Sequence, residues 1–261
     1  MILPHLDPGR RYVEVFAGAG AVFLNHPAKE ALICDANPDL IALYEVLRDY
    51  GTDFIEYCRL LFNPDYNTRT AYYGLRDQFN TSRDKFFKAG TFVYLNRHSY
   101  NGLVRYNSRG EFNVPFGAYA RPYFPAEEMK AFLVRLNSAQ VRLAVMDFRK
   151  TFEEVQEGDQ VYCDPPYVPA SKTANFTQYT ANRFAMPDQM ALAGLVKMAA
   201  QKGAKVILSN SDNREVRTLY SFGEVVSHST QRNLAAEPSK RGMAKEVLIK
   251  IGSPSAPDSI A

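Results

Sequence analysis

The sequence predicts an open, mostly parallel α/β sheet, wound on both faces and interrupted by a mostly helical insertion that carries a β-hairpin. Three observations predict it. Short apolar runs alternate with helix-like segments at both ends of the chain, the pattern of strand–helix–strand units. Two of those runs end in turns suited to ligands: Tyr12-Val13-Glu14-Val15-Phe16 meets Ala17-Gly18-Ala19-Gly20, and Val161-Tyr162-Cys163 meets Asp164-Pro165-Pro166-Tyr167. Between them lies a long stretch of helical spacing, broken by Asn101-Gly102 and Arg109-Gly110, pairs that favour tight turns. The 261 residues suffice to bury one such domain and an inserted subdomain.

In order, Tyr12 to Tyr50 is expected to run strand, loop, helix, strand, helix, with the second strand Ala31-Leu32-Ile33-Cys34 ending in Asp35. Residues 53–140 form the insertion. There Tyr72, Tyr73, Arg76 and Phe79, and then Phe86, Phe87 and Phe92 with Tyr94, sit at helical spacing and are assigned to its core. The sheet resumes at Val141 to Met146 and ends that strand in Asp147-Phe148. It continues through Gln160 to Cys163 and Lys205 to Asn210, and closes with an antiparallel pair near Val225-Val226 and Glu246 to Ile251. A basic loop from Gln231 to Lys245 joins that pair. The expected organisation is a catalytic domain of residues 1–52 and 141–252, a recognition subdomain of 53–140, and a disordered polar tail at 253–261.

The tetrapeptide Asp164-Pro165-Pro166-Tyr167 carries the most chemistry. Neither proline has an N–H, so the strand ladder must stop there. An acid and an aromatic ring are then held at the carboxyl edge of the sheet, where open α/β sheets bind ligands. An acid, a fixed carbonyl and a ring suit a flat base with an exocyclic amine. In the first turn, Gly18 and Gly20 let backbone approach a ligand, and an acid placed like Asp35 commonly takes a ribose hydroxyl pair. Gly-Ala-Gly lacks the third glycine that a pyrophosphate favours, so an adenosine cofactor with an uncharged linker, S-adenosyl-L-methionine, fits better.

From Arg97 to Phe124 the chain holds four arginines (Arg97, Arg105, Arg109, Arg121) and one acid, Glu111, interleaved with tyrosines and phenylalanines. Guanidinium groups for phosphates and guanine edges, with rings for stacking, make a nucleic-acid surface. The net charge is only +3, so any DNA affinity must be local. Cys34, Cys58 and Cys163 have no metal spacing and suit reduced core thiols. No cysteine follows a proline, which argues against a cytosine-C5 nucleophile. No apolar run reaches membrane-spanning length. The expectation is a cytoplasmic monomer without metal, acting on double-stranded DNA.

These residues carry a resemblance. It rests on Glu14-Val15-Phe16-Ala17-Gly18-Ala19-Gly20 with Phe23-Leu24-Asn25, and on Asp35 with Asp39-Leu40. It rests also on Tyr100-Asn101-Gly102-Leu103 to Gly117, on Pro122-Tyr123-Phe124-Pro125, and on Asp164-Pro165-Pro166-Tyr167 with Ala174-Asn175-Phe176. Together they resemble the Dam-type DNA adenine-N6 methyltransferases, which methylate the adenine of GATC, over about Tyr12 to Ile251. The resemblance implies a Rossmann-like S-adenosylmethionine-dependent methyltransferase sheet. It implies that Glu14, Phe16, Gly18, Gly20, Asp35, Asp147, Phe148 and Asp164 hold the cofactor, and that Asp164, Pro165 and Tyr167 are catalytic. It implies DNA contacts from Arg97, Tyr100, Asn101, Leu103, Arg105, Asn107 and Pro115, to which the basic loop would add Lys240 and Arg241. An alternative for Asp147 is an N-cap for the next helix.

The implied mechanism rotates the target base out of the duplex. Asp164 accepts one N6–H and the Pro165 carbonyl the other, while Tyr167 stacks on the base. The chain departs from the family where a Lys-Trp-x-Gly-Gly-Lys segment usually precedes the first strand: here Met1 leads into Ile2-Leu3-Pro4-His5, and the chain has no Trp. The departure leaves two expectations, a start placed too late or a weakened cofactor grip. Ala118 stands where the family often has arginine. Alternatives are a cytosine-N4 methyltransferase, a protein-glutamine methyltransferase, and a catalytically weak or silent DNA-binding homologue.

Overall fold

The computed structural model of the protein describes residues 2–167, 184–231 and 243–252. In chain order the elements are β1 (Tyr12–Glu14), α1 (Ala21–Asn25), β2 (Glu30–Asp35), α2 (Pro38–Leu60), α3 (Arg69–Thr81), α4 (Lys85–His98), α5 (Ala126–Asn137), β3 (Gln140–Val145), α6 (Phe148–Glu153), β4 (Gln160–Cys163), α7 (Met186–Gln201), β5 (Lys205–Ser211), α8 (Arg214–Leu219), β6 (Glu224–Gln231) and β7 (Met243–Ile251). One compact unit takes residues up to Ala36, from Ala139 to Tyr167 and from Phe184 on; the other is Asn37–Ser138.

The first unit is built on a seven-stranded sheet ordered β3-β2-β1-β4-β5-β7-β6. The pairs β3/β2, β2/β1, β1/β4 and β4/β5 are parallel, and β7 is antiparallel to both β5 and β6. This is the Rossmann-like arrangement the sequence predicts, with its closing antiparallel pair. Val225 opposes Ile249 and Val226 opposes Leu248, but the pairing runs on to Gln231 opposite Met243. The strands therefore extend into the stretch expected as loop. Central strands β1 and β4 are buried along their whole length, as parallel strands covered on both faces must be. Val13, Val161, Val206 and Leu208 meet Leu192 and Val196 of α7 in the core. Glu14 opposes Tyr162 across β1/β4. The order reverses between these strands, so both carboxyl ends open at the topological switch point.

The second unit is mostly helical. Its α2, which spans the boundary expected at 52–53, lies wholly in this unit, with a break at Gly51 (φ 56°, ψ −128°). Tyr72, Phe79, Phe92 and Tyr94 are buried in its core together with Leu95, Phe112 and Val114. Cys34, Cys58 and Cys163 are buried free thiols. Burial pushes Cys34 up to about 11 and Cys58 up to about 12, which leaves both protonated and inert at neutral pH.

Candidate active site and nucleic-acid interface

The turn after β1 is shaped by two left-handed glycines, Gly18 (φ 48°) and Gly20 (φ 66°). A Cβ placed at Gly18 would meet nothing within 4 Å, so this turn faces open space. The Ala17 amide bonds the Cys34 carbonyl at 2.8 Å, and the Gly18 amide donates to Asp35 Oδ2 at 3.0 Å. The ends of β1 and β2 are thus tied together. Gly20 caps the five-residue α1, whose Phe23 amide donates to Glu14 Oε2 at 3.2 Å. Glu14 is only 2 % exposed. Burial pushes its carboxyl up to about 8; the Phe23 amide opposes this, and Asp164 and Asp35 add to it. Tyr12 leans toward Glu14 but its hydroxyl makes no well-formed hydrogen bond among the described residues.

The turn after β4 is the tetrapeptide. Asp164 keeps solvent access at the strand end, yet the protein packed around it raises its carboxyl above the usual range. A hydrogen bond opposes that rise, Ser209 Oγ donating to Asp164 Oδ1 at 2.8 Å, and the Tyr167 hydroxyl beside the carboxyl acts in the same direction. Ser209 also lies 3.0 Å from the Tyr162 hydroxyl. On the next strand position, Asn210 belongs to a second buried network with Gln189 and Tyr220, which reaches the Pro166 carbonyl. Ser209 and Gln189 have no part in the sequence motifs, and only the pairing of β4 with β5 and the packing of α7 reveal them.

Asp147 caps α6, its Oδ1 accepting from the Arg149 amide at 3.0 Å, and pairs with the Arg149 guanidinium at 3.3 Å. Asp147 thus serves as the N-cap of α6. Phe16, Phe148 and Phe184 form a triangle of rings with centroids 5.4–5.8 Å apart. Phe184 had no signal in the sequence beyond its apolar character.

In the second unit the hairpin forms with little ladder. Its arms meet at isolated bridges, Ser99–Phe116 and Tyr106–Phe112, and its tip closes with the Asn107 amide donating to the Glu111 carbonyl at 2.9 Å. The regular strands expected are absent for a physical reason. Asn80 takes both backbone groups of Phe112, at 2.8 and 3.1 Å, and Tyr72 takes the Val114 carbonyl at 2.9 Å. Those groups are committed to α3 instead of a facing strand. Phe112 and Val114 point into the core, so Asn113 and Pro115 alternate outward.

Tyr100, Leu103 and Val104 are exposed, and Pro115 is exposed with its carbonyl accepting the Tyr100 amide at 2.8 Å. Asn101 (φ 54°) and Gly102 (φ 62°) make a left-handed pair, with the Asn101 amide on the Tyr119 hydroxyl at 2.7 Å. Arg105 is held from one side: its Nε donates to Asn113 Oδ1 at 2.7 Å and its Nη2 to the Asn113 carbonyl at 3.2 Å. The edge formed by the two Nη atoms can still make a bidentate contact. Asn107 is engaged in the turn, accepting from the Arg109 and Glu111 amides and donating to Glu111 Oε2 at 2.7 Å. Arg97 is exposed, with its guanidinium 5.7 Å from the Tyr123 ring. Lys240 and Arg241, and Ala174-Asn175-Phe176, lie outside the described residues.

The hairpin base is a close approach. A Cβ at Gly117 would sit 2.8 Å from the Ser99 carbonyl oxygen. Gly117→Ala is therefore expected to lower stability by about 1–3 kcal/mol, read as a lower denaturant midpoint at constant slope. An unchanged midpoint would mean the two strands separate freely there.

Among the described residues no cluster of His, Cys, Asp and Glu could hold a metal, and no helix is long and apolar enough to cross a membrane.

The sheet order, with two turns at its switch point, is that of a Rossmann-like methyltransferase fold. Residues 1–234 match the family described as D12 class N6 adenine-specific DNA methyltransferase. A DNA adenine methylase of Vibrio cholerae is 40% identical over 245 residues, covering 94% of this chain and 88% of that one. One from Haemophilus influenzae is 41% identical over 243 residues (92% and 84%), and one from Escherichia coli K12 is 38% identical over 244 residues (94% and 87%). A solved structure, the rRNA methyltransferase aviRa of Streptomyces viridochromogenes, aligns at a TM-score of 0.33 and 12% identity over 95% of this chain and 80% of that one. The chain belongs to the D12 class of N6 adenine-specific DNA methyltransferases.

Proposed function

We propose that this chain transfers a methyl group from S-adenosyl-L-methionine to N6 of the adenine in GATC, on double-stranded DNA. The observation that carries the reading is the tetrapeptide at the switch point, with Asp164 Oδ1 pinned by Ser209 at 2.8 Å. The test incubates the protein with labelled cofactor and duplexes that contain or lack GATC. Label in the GATC duplex alone supports the reading; label in both or neither opposes it. Family membership favours adenine over the cytosine alternative.

The residues present fit the cofactor. The turn at Gly18 leaves open space. Asp35 and Asp164 lie near enough to Glu14 to raise its cost of ionisation. When ionised, acids at these strand ends repel phosphates and favour a ligand with sulfonium and ammonium charges. Gly18 and Gly20 would offer backbone, Asp35 the ribose contact, Glu14 and Asp147 polar contacts, and Phe16 and Phe148 ring surface. When bound, the cofactor supplies an electrophilic methyl group that needs no activation.

The remaining work is done by this chain's residues. An adenine amine is a poor nucleophile because its lone pair is delocalised into the ring. Asp164 accepts one N6–H bond and the Pro165 carbonyl the second, which favours a tetrahedral nitrogen. Tyr167 stacks on the extruded base. As N6 bonds the methyl carbon, the carbon–sulfur bond breaks, the neutral thioether leaves, and the surplus N6 proton passes to water; catalysis is then positioning and electrostatic preorganisation. The second unit serves as the recognition subdomain: Arg105 reads guanine, Leu103 and Pro115 meet a thymine methyl, and Tyr100 wedges between steps.

The pH dependence then has a definite sign. Asp164 is the stronger acceptor of N6–H when ionised, and its folded pKa is raised, so activity falls as pH drops through that raised pKa. The Ser209 hydrogen bond favours the ionised form. In Ser209→Ala the acid limb of the single-turnover pH profile should move to higher pH. A limb that stays in place would separate Ser209 from the acid.

A further inference from the structure

The two prolines of the tetrapeptide fix their own φ angles. The path into Tyr167 is therefore set by the ψ angle of Pro166, which its carbonyl direction reports. That carbonyl is held by Gln189 Nε2 at 3.3 Å. Gln189 lies in the first turn of α7 and is 1 % exposed. Its Oε1 accepts from the Tyr220 hydroxyl at 3.2 Å and from Asn210 Nδ2 at 3.4 Å.

The orientation of the Gln189 amide follows from a chain of obligations. The Ser211 backbone amide donates to Asn210 Oδ1 at 2.8 Å, so Asn210 presents its NH2 group to Gln189. Gln189 must then face Asn210 with oxygen and Pro166 with nitrogen. The relay starts on a β5 backbone amide and ends on the tetrapeptide. Pro166 itself is exposed, while its carbonyl turns into a part-buried hydrogen bond with Gln189. The bond gives the buried Gln189 amide an acceptor and at the same time fixes the direction of the Pro166 carbonyl. Successive residues of β5 act on different parts of the turn. Ser209 holds Asp164, and Asn210 steers Gln189.

We propose that Gln189 is a positioning residue for Tyr167, fixing the Pro166 carbonyl and hence the ring that meets the target base. The proposal rests on the reading of Tyr167 given above. It is tested with Gln189→Leu in the full chain, alone and combined with Tyr167→Ala. Three quantities are read: duplex affinity, the single-turnover rate of methyl transfer, and the fluorescence of 2-aminopurine at the target adenine position.

Duplex affinity should stay within about twofold, because the recognition residues are untouched. The methyl-transfer rate should fall about tenfold or more, as misplaced reacting groups do, and the 2-aminopurine signal should change. In the Tyr167→Ala background the same substitution should cost nothing further. Losses that multiply across the two sites, or an unchanged rate in Gln189→Leu, would overturn the proposal. Should Gln189→Leu fail to fold by thermal melting, Tyr220→Phe loosens the same amide while keeping the packing. Its smaller fall must also vanish in the Tyr167→Ala background, and a fall that persists there overturns the proposal. A wild-type protein that forms no N6-methyladenine defeats the functional reading itself, before any variant is compared.

Discussion

Asp164→Ala should bind a GATC duplex as the wild type does and lose methyl transfer by at least about 10²- to 10³-fold, the range seen when one preorganised contact to a developing charge is removed. The reason lies in the division of labour. In the proposed reading, duplex affinity comes from phosphate and groove contacts of the second unit, none of which involves Asp164. Methyl transfer depends on an acceptor that draws the adenine nitrogen out of conjugation, and Asp164 is the only acid in the tetrapeptide. The variant should also melt no lower than the wild type. Burial raises the Asp164 carboxyl, so keeping it ionised near neutral pH costs folding free energy, and its removal relieves that cost. Single-turnover rates with labelled cofactor, duplex titrations and thermal melts separate the three effects. Appreciable turnover by Asp164→Ala would remove the residue from the mechanism.

Arg105→Ala should relax sequence choice. A bidentate guanidinium–guanine contact contributes about 1–3 kcal/mol of discrimination, equivalent to about 5- to 150-fold between GATC and a duplex changed at that guanine. The structure supplies the preorganisation such a contact needs, because Asn113 holds Nε and one Nη of Arg105 from behind. Cofactor affinity should be unaffected. The check is a panel of single-substitution duplexes under single-turnover conditions, with calorimetry of the cofactor alongside. Full discrimination by the variant would assign guanine reading elsewhere.

The sequence made the sheet and its two turns legible because their signals are local. An apolar run followed by Gly-Ala-Gly, and another followed by two prolines, each announce where a strand stops. The antiparallel closing pair was legible from apolar runs, although its full length was not, since polar residues such as Ser227 also pair in β6. The residues that support the tetrapeptide were not legible. Ser209 lies 45 positions from Asp164 and Gln189 lies 23 from Pro166. Their nearness is a product of strand pairing and helix packing, which no short motif encodes. The hairpin illustrates the opposite failure. Its turn residues gave a true signal, but its ladder was traded for hydrogen bonds to Asn80 and Tyr72, side chains on a separate helix. Asp147 shows why residue type alone is ambiguous: an acid at a strand end suits a cofactor and a helix cap alike, and the structure shows it capping.

The proposed chemistry stands or falls with the grip on the adenine amine between the Asp164 carboxylate and the Pro165 carbonyl. A crystal structure of the protein with a GATC duplex and a non-reactive cofactor analogue would show that grip or its absence. The adenine should lie outside the stack, its N6 within about 2.7–3.2 Å of both oxygens, with the Tyr167 ring against its face. An adenine still paired in the duplex, or extruded with N6 beyond hydrogen-bond reach of Asp164, would contradict the proposed mechanism.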